Sequence, residues 1–239
     1  DAAFSRRLDE SGVDVIMVGD SLGMVLHGEE TTLKVSMHDM IYHTRLVRQG
    51  CQRAMIISDM PFMSYTTPAQ ALGNAARLVS EGGAEVVKLE GGSVVAETIQ
   101  HLNMHGIPVC AHLGLTPQSV HKFGGYKIQG REQQDADQIL SDAKLLEGAG
   151  AIMLVLECIP HKLAARITDT LNIPVIGIGA GSACDGQVLV LYDMLGITDR
   201  QLKFSKNFLE QTQSINAAIE DYVAAIKSGS FPTRDHQFD

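Results

Sequence analysis

The chain is 239 residues long, enough for one large α/β domain, and it carries 19 Lys plus Arg against 28 Asp plus Glu, a net charge of −9. Such a chain repels nucleic acid and anionic lipid as a whole, so neither is an expected partner. A hydrophobic content of 45% with 20% charge excludes a disordered tail. No run approaches the roughly 18 apolar residues of a membrane span, and the opening DAAFSRRLDESG has no apolar signal core. A cytoplasmic protein with no membrane partner is expected. Cys51, Cys110, Cys158 and Cys184 form no C-x-x-C pair, and free thiols are expected.

Short β-branched runs alternate with amphipathic segments from end to end, the pattern of repeated βα units around a parallel sheet. The runs span 13–18, 54–58, 85–89, 107–111, 151–156, 173–178 and 188–192. They are near-continuously apolar, as strands buried on both faces should be. Ser36 and Asp39 open a helix that stops at Gly50, and Thr67 with Pro68 opens one that ends near Gly82 and Gly83, where one residue looks inserted. Ser93 is read as the cap of the next, and segments 135–148 and 161–171 continue the series. Towards the C-terminus only helix is expected, with Ile215, Ile219, Tyr222 and Ile226 on one face. Seven repeats without a compositional break predict one domain over 1–239, a (β/α)8 TIM-type barrel with C-terminal helices, whose first strand precedes residue 1. An open doubly wound sheet is the structural alternative.

In such barrels chemistry sits at the C-terminal ends of the strands. The polar residues there are Asp20 with Ser21, Asp59, Lys88 with Glu90, His112 and Glu157. Acids from different strands would converge on one axial pocket, and like charges that close together need a cation. An oxygen-only set favours Mg²⁺ or Mn²⁺ over Zn²⁺. Lys88 and Glu90, two positions apart, should share one side of a strand. His101 and His105 are spaced like a helical metal pair but read better as a solvated face. The glycines of 177–181 depart from a dinucleotide fingerprint at Ser182 and read as a tight strand-end turn. The long segment 113–131, with Gly124, Gly125 and Gly130, suits a mobile cover.

The ordered segments VGDSLGMVLHG (18–28), SDMPFMSY (58–65), VKLEGG (87–92), AHLGLTPQS (111–119), FGGYKIQGR (123–131), LVLECIP (154–160) and IPVIGIGAG (173–181) closely resemble the ketopantoate hydroxymethyltransferase family over nearly the whole chain. The resemblance implies a (β/α)8 barrel that transfers a one-carbon unit from 5,10-methylenetetrahydrofolate to 3-methyl-2-oxobutanoate, giving 2-dehydropantoate for pantothenate and coenzyme A. It also implies Mg²⁺ and a homo-oligomer, commonly a decamer. By motif, Asp20 and Asp59 match metal-binding aspartates. Glu90 matches the acid that completes the metal site directly or through water. Ser21, Lys88 and His112, beside the two aspartates, match positions around the keto acid, and Glu157 matches the proton acceptor. Folate would approach from the mouth, bordered by the loop after His112. Family members start with a further strand that ends in a motif like Thr-Ala-Tyr-Asp, of which Asp1 matches the last residue. A Mg²⁺-dependent α-keto acid lyase of the phosphoenolpyruvate and isocitrate type is the alternative activity, although no Lys-Cys-Gly-His tetrapeptide occurs in the chain. A silent scaffold is the third.

Overall fold

The structure, a computed structural model, describes residues 1–199 and 202–239. Among these, strands β1 (Val15–Val18), β2 (Met55–Asp59), β3 (Val86–Glu90), β4 (Val109–Gly114), β5 (Met153–Glu157), β6 (Val175–Ile178) and β7 (Gly186–Gln187) form one parallel sheet in chain order. Helices α1 (Ala2–Glu10), α2 (Met37–Gly50), α3 (Pro68–Arg77), α4 (Ala96–Met104), α5 (Gln133–Gly148), α6 (His161–Thr168) and α7 (Ile215–Lys227) supply crossovers and flanks. Both faces of the sheet are buried. Met40, Ile56, Leu78, Leu89, Ile99, Leu146 and Leu156 fill the layer between strands and helices, whereas Ile57, Val86, Cys110, Met153, Val155 and Ile178 form an inner layer. Burial on two sides is why the strands read as unbroken apolar runs. The α/β barrel-type architecture is that expected from the repeats.

Local chemistry sets the helix ends. Ser36 accepts from the Asp39 amide while the Asp39 carboxylate accepts from the Ser36 amide, a closed capping box before α2. The Thr67 hydroxyl accepts from the Gln70 amide at 3.2 Å, and Pro68 opens α3. Near Gly82, where an insertion was expected, Leu78–Gly82 form a single π-helical turn, closed by Gly83 at φ +79°. Ser93 does not cap α4 through its side chain. It begins a 3₁₀ turn, Ser93–Val95, that leads into the helix.

Three further expectations are corrected. Strands end later than the apolar runs do: the ladder continues through Asp59, Glu90, His112 and Glu157, because backbone pairing does not depend on side-chain polarity. The seventh run, 188–192, is not a strand. Pairing involves Gly186 and Gln187, opposite Ile176 and Gly177, and a short helix begins at Leu191. Leu189 and Leu191 instead pack against the cluster of Met194, Phe208 and Ile219, so their apolar character is satisfied by the C-terminal helix. Between α7 and the short helix, residues 202–214 carry turns where helix was expected. The eighth strand was expected upstream of residue 1, outside the chain described. In the described residues β1 pairs with β2 and β7 with β6, and residues of β1 and of segment 187–191 line one cavity from opposite sides.

Candidate active site

Strand register does most of the assembly. Asp59 is the Cα partner of Lys88, Glu90 of His112, and Gly114 of Glu157. Their side chains share the inner face with Ile57, Val86, Cys110 and Met153, one pleat nearer the C-terminal end. Lys88 Nζ lies 3.2 Å from Asp59 Oδ1 and 3.9 Å from Glu90 Oε1, which confirms that positions 88 and 90 share a side. His112 turns Nδ1 towards Lys88 Nζ at 3.3 Å and Nε2 towards Glu157 Oε2 at 3.3 Å. Because an ammonium only donates, a neutral His112 ring accepts from Lys88 at Nδ1 and carries its proton on Nε2, facing Glu157; a second proton, on Nδ1, would face Glu90 Oε1 at 3.6 Å instead.

Asp20 enters from the turn after β1, where its amide donates to Asp59 Oδ2 at 3.1 Å. A Cβ on the preceding Gly19 would stand 3.0 Å from Ser21 Oγ and 3.6 Å from Asp59 Oδ2, so glycine keeps this approach open. Ser21 is half-buried at the head of the single helical turn Leu22–Val25. Asp20, Asp59, Lys88, Glu90 and His112 are all buried, whereas Glu157 keeps 15% of its side chain exposed. All seven predicted residues line one cavity of about 1040 Å³.

The charge balance is unequal. Three buried carboxylates face one ammonium, leaving a formal −3 + 1 = −2 before His112 is counted. Burial, then Asp59 and Glu90, push the Asp20 carboxyl up to about 8. Burial also raises Asp59, against the pull of Lys88. Burial would raise Glu90 too, but the His112 hydrogen bond and Lys88 outweigh it and hold the carboxyl low. Lys88 stays firmly charged, since its three acidic neighbours overcome its desolvation. For His112, burial and Lys88 act downward but the carboxylates of Glu157 and Glu90 prevail, so the ring binds a proton more readily than usual.

The donor set is suited to a hard cation. Asp59 Oδ1 is a buried oxygen that makes no hydrogen bond and has only the Lys88 ammonium 3.2 Å away, and the acids around it carry an excess of negative charge. Among the described residues, no three His, Cys, Asp or Glu side chains converge as a complete ligand cluster. Carboxylate oxygens are the donors a hard cation prefers, and such a cation is usually held by one or two of them together with water and substrate oxygens. Both Glu90 oxygens already have neighbours, Oε2 accepting from the Gln118 amide at 2.9 Å and Oε1 lying 3.6 Å from His112 Nδ1.

Two residues of the site escaped the sequence reading. Gln118 is buried between Asp20, Glu90 and Tyr65, and the Tyr65 hydroxyl donates to its Oε1. The segment expected as a cover thus divides: Gln118 is buried within the site, while the exposed Tyr126 lines the outer part of the cavity. Residues 177–181 make the expected turn, with Gly179 and Gly181 at positive φ. The His101 and His105 rings lie 4.5 Å apart and tilted by 51° at the C-terminal end of α4. All four cysteines are free.

A sequence model of ketopantoate hydroxymethyltransferase matches residues 1–234. The chain belongs to this family. It is 59% identical over 233 residues to the 3-methyl-2-oxobutanoate hydroxymethyltransferase of Nitrosococcus oceani, covering 97% of this chain and 88% of that one. The Alteromonas mediterranea protein of the same name is 54% identical and aligns with 100% of this chain and 90% of its own. Among solved structures, 2,3-dimethylmalate lyase, a member of the PEP mutase/isocitrate lyase superfamily, superposes with a TM-score of 0.54 at 13% identity, covering 100% of this chain and 91% of that one. A putative lyase/mutase from Burkholderia cenocepacia reaches 0.58 at 16% identity over 74% of this chain and 65% of its own. At such identities these structures show the fold alone. Among the described residues no helix is long and apolar enough to cross a membrane.

Proposed function

We propose that this ketopantoate hydroxymethyltransferase family member moves a one-carbon unit from 5,10-methylenetetrahydrofolate to 3-methyl-2-oxobutanoate, giving 2-dehydropantoate, with Mg²⁺ as its metal. The observation that carries this reading is the meeting of Asp20, Asp59, Lys88, His112 and Glu157 in one cavity, acids on one side and a proton-accepting carboxylate on the other. Asp20 and Asp59 would hold the cation, with Glu90 behind them. Once bound, Mg²⁺ supplies a Lewis acid next to the keto oxygen of the substrate.

The other steps belong to the chain's own groups. The hydrogen on the carbon beside the keto group is weakly acidic, and its loss builds negative charge on the keto oxygen. The Lys88 ammonium, fixed by Asp59, is a preorganised positive charge for that moment. Glu157 takes the proton, and the His112 Nε2 proton steers the Glu157 carboxylate from 3.3 Å. Ser21, on the cavity wall, is placed to hold the substrate's carboxylate. The electron pair released at the carbon forms the new C–C bond to the methylene carbon as its bond to one folate nitrogen breaks; water then replaces the second nitrogen and supplies the hydroxyl oxygen, while the two freed nitrogens take up one proton from the substrate carbon and one from water, leaving tetrahydrofolate.

The test uses purified protein with Mg²⁺, the keto acid and methylenetetrahydrofolate, and mass spectrometry for 2-dehydropantoate. In D₂O without the folate, NMR should show exchange of the proton beside the keto group. Glu157→Gln should slow that exchange by about 10²- to 10⁴-fold. Wild-type turnover by Asp59→Ala at saturating Mg²⁺ would reject the reading.

A further inference from the structure

The carboxylates that would receive the cation do not stand alone. Gln118 Nε2 donates to Asp20 Oδ2 at 2.8 Å and to the Met60 carbonyl at 2.9 Å, using both amide hydrogens. Its Oε1 accepts from the Tyr65 hydroxyl, and its backbone N–H donates to Glu90 Oε2 at 2.9 Å. The Tyr65 oxygen in turn accepts from the Glu90 amide at 3.4 Å. The side-chain orientation is therefore determined by chemistry. A flipped amide would set its oxygen against the Met60 carbonyl and the Asp20 carboxylate, two acceptors with no hydrogen to offer.

We propose that Gln118 is a positioning residue for the cation: its amide ties down Oδ2 of Asp20, so that Oδ1 is the oxygen left to coordinate, while its backbone N–H holds Glu90 behind. The idea rests on the metal reading given above. An amide suits this task better than a charged group. A Lys at this position would neutralise Asp20 and compete with the cation, whereas a Glu would add a fourth negative charge. Gln118 is also the joint between three separate loops, following β1, β2 and β4, so that it sets Asp20 relative to Glu90 rather than either acid singly. Outer partners of this kind typically alter metal affinity or activity by about 10- to 100-fold when removed.

Mn²⁺ titration followed by EPR, with no substrate present, tests this directly. Gln118→Met, similar in length and without hydrogen bonds, should weaken Mn²⁺ binding by roughly 10- to 100-fold. Tyr65→Phe, which removes only the donor to Oε1, should weaken it less and in the same direction, and it serves if the Met variant does not fold. Gln118→Glu should bind Mn²⁺ with a steeper pH dependence than the wild type. If the wild type binds Mn²⁺ and folded Gln118→Met, or failing that folded Tyr65→Phe, binds it equally well, this proposal is wrong while the metal reading stands. If the wild type binds no Mn²⁺, the metal reading falls and takes this one with it.

Discussion

Asp20 shows how far burial and like charge can move one group. Unfolded, its carboxyl would titrate near the ordinary 3.8; folded, desolvation and the neighbouring acids lift it to about 8. Between those values the folded chain holds a proton that the unfolded chain has released. Stability from this group is therefore full below the lower value and lost as pH rises through the window. In chelator, the stability advantage of Asp20→Asn over wild type should grow from pH 5 to pH 9, measured by urea denaturation at each pH; an advantage that stays constant would contradict the picture. The residue scale is also where the sequence was most readable. Most of the predicted side chains are the polar residues that close an apolar run, with Ser21 beside one and Lys88 inside one. Gln118 carried no such mark, since it sits in a loop 98 positions from Asp20 and 28 from Glu90.

At the scale of elements, glycines report where backbones touch. Gly114 ends β4 at φ +89°, and a Cβ there would lie 2.2 Å from the Glu157 carbonyl oxygen and 2.7 Å from Ile159 Cγ2. The same carbonyl accepts from the Leu115 amide at 2.8 Å, so the β4 and β5 ends are locked at the catalytic level. Gly114→Ala should therefore cost on the order of 2 kcal/mol or more from the left-handed backbone and the clash together, and should lower turnover by displacing Glu157. Thermal denaturation and kcat measure the two effects. Gly73, inside α3, meets nothing within 4 Å, so Gly73→Ala should stabilise by about 0.5–1 kcal/mol and leave turnover unchanged. Element types and order were legible because the apolar period and the caps are local signals. The extent of β2 to β5 was not, since it depends on which neighbour each amide meets, and the 188–192 run was misread because a β-branched stretch packs equally well against a helix.

For the molecule as a whole, a surplus of buried negative charge at one end of the sheet couples stability to the cation. A ligand that binds only the folded state stabilises it by mass action, about 2.7 kcal/mol at 100 times its Kd. Addition of Mg²⁺ should raise the Tm, EDTA should reverse the shift, and Asp59→Ala should abolish it; scanning calorimetry at pH 8 follows all three. An equal shift in Asp59→Ala would place the ion elsewhere.

The alternation of apolar runs with amphipathic segments, the helix caps and the polar residues at the strand ends were enough to predict repeated βα units around a parallel sheet and to single out seven of the side chains that line the cavity, because each of those signals lies within a few neighbouring residues. Packing settled other matters: that Lys88 sits among the acids it partly neutralises, that burial raises Asp20 while hydrogen bonds and Lys88 hold Glu90 low, and that Gln118 joins them. Those are distances between groups far apart along the chain, and a distance of that kind exists only once strand register and loop closure have brought the groups together.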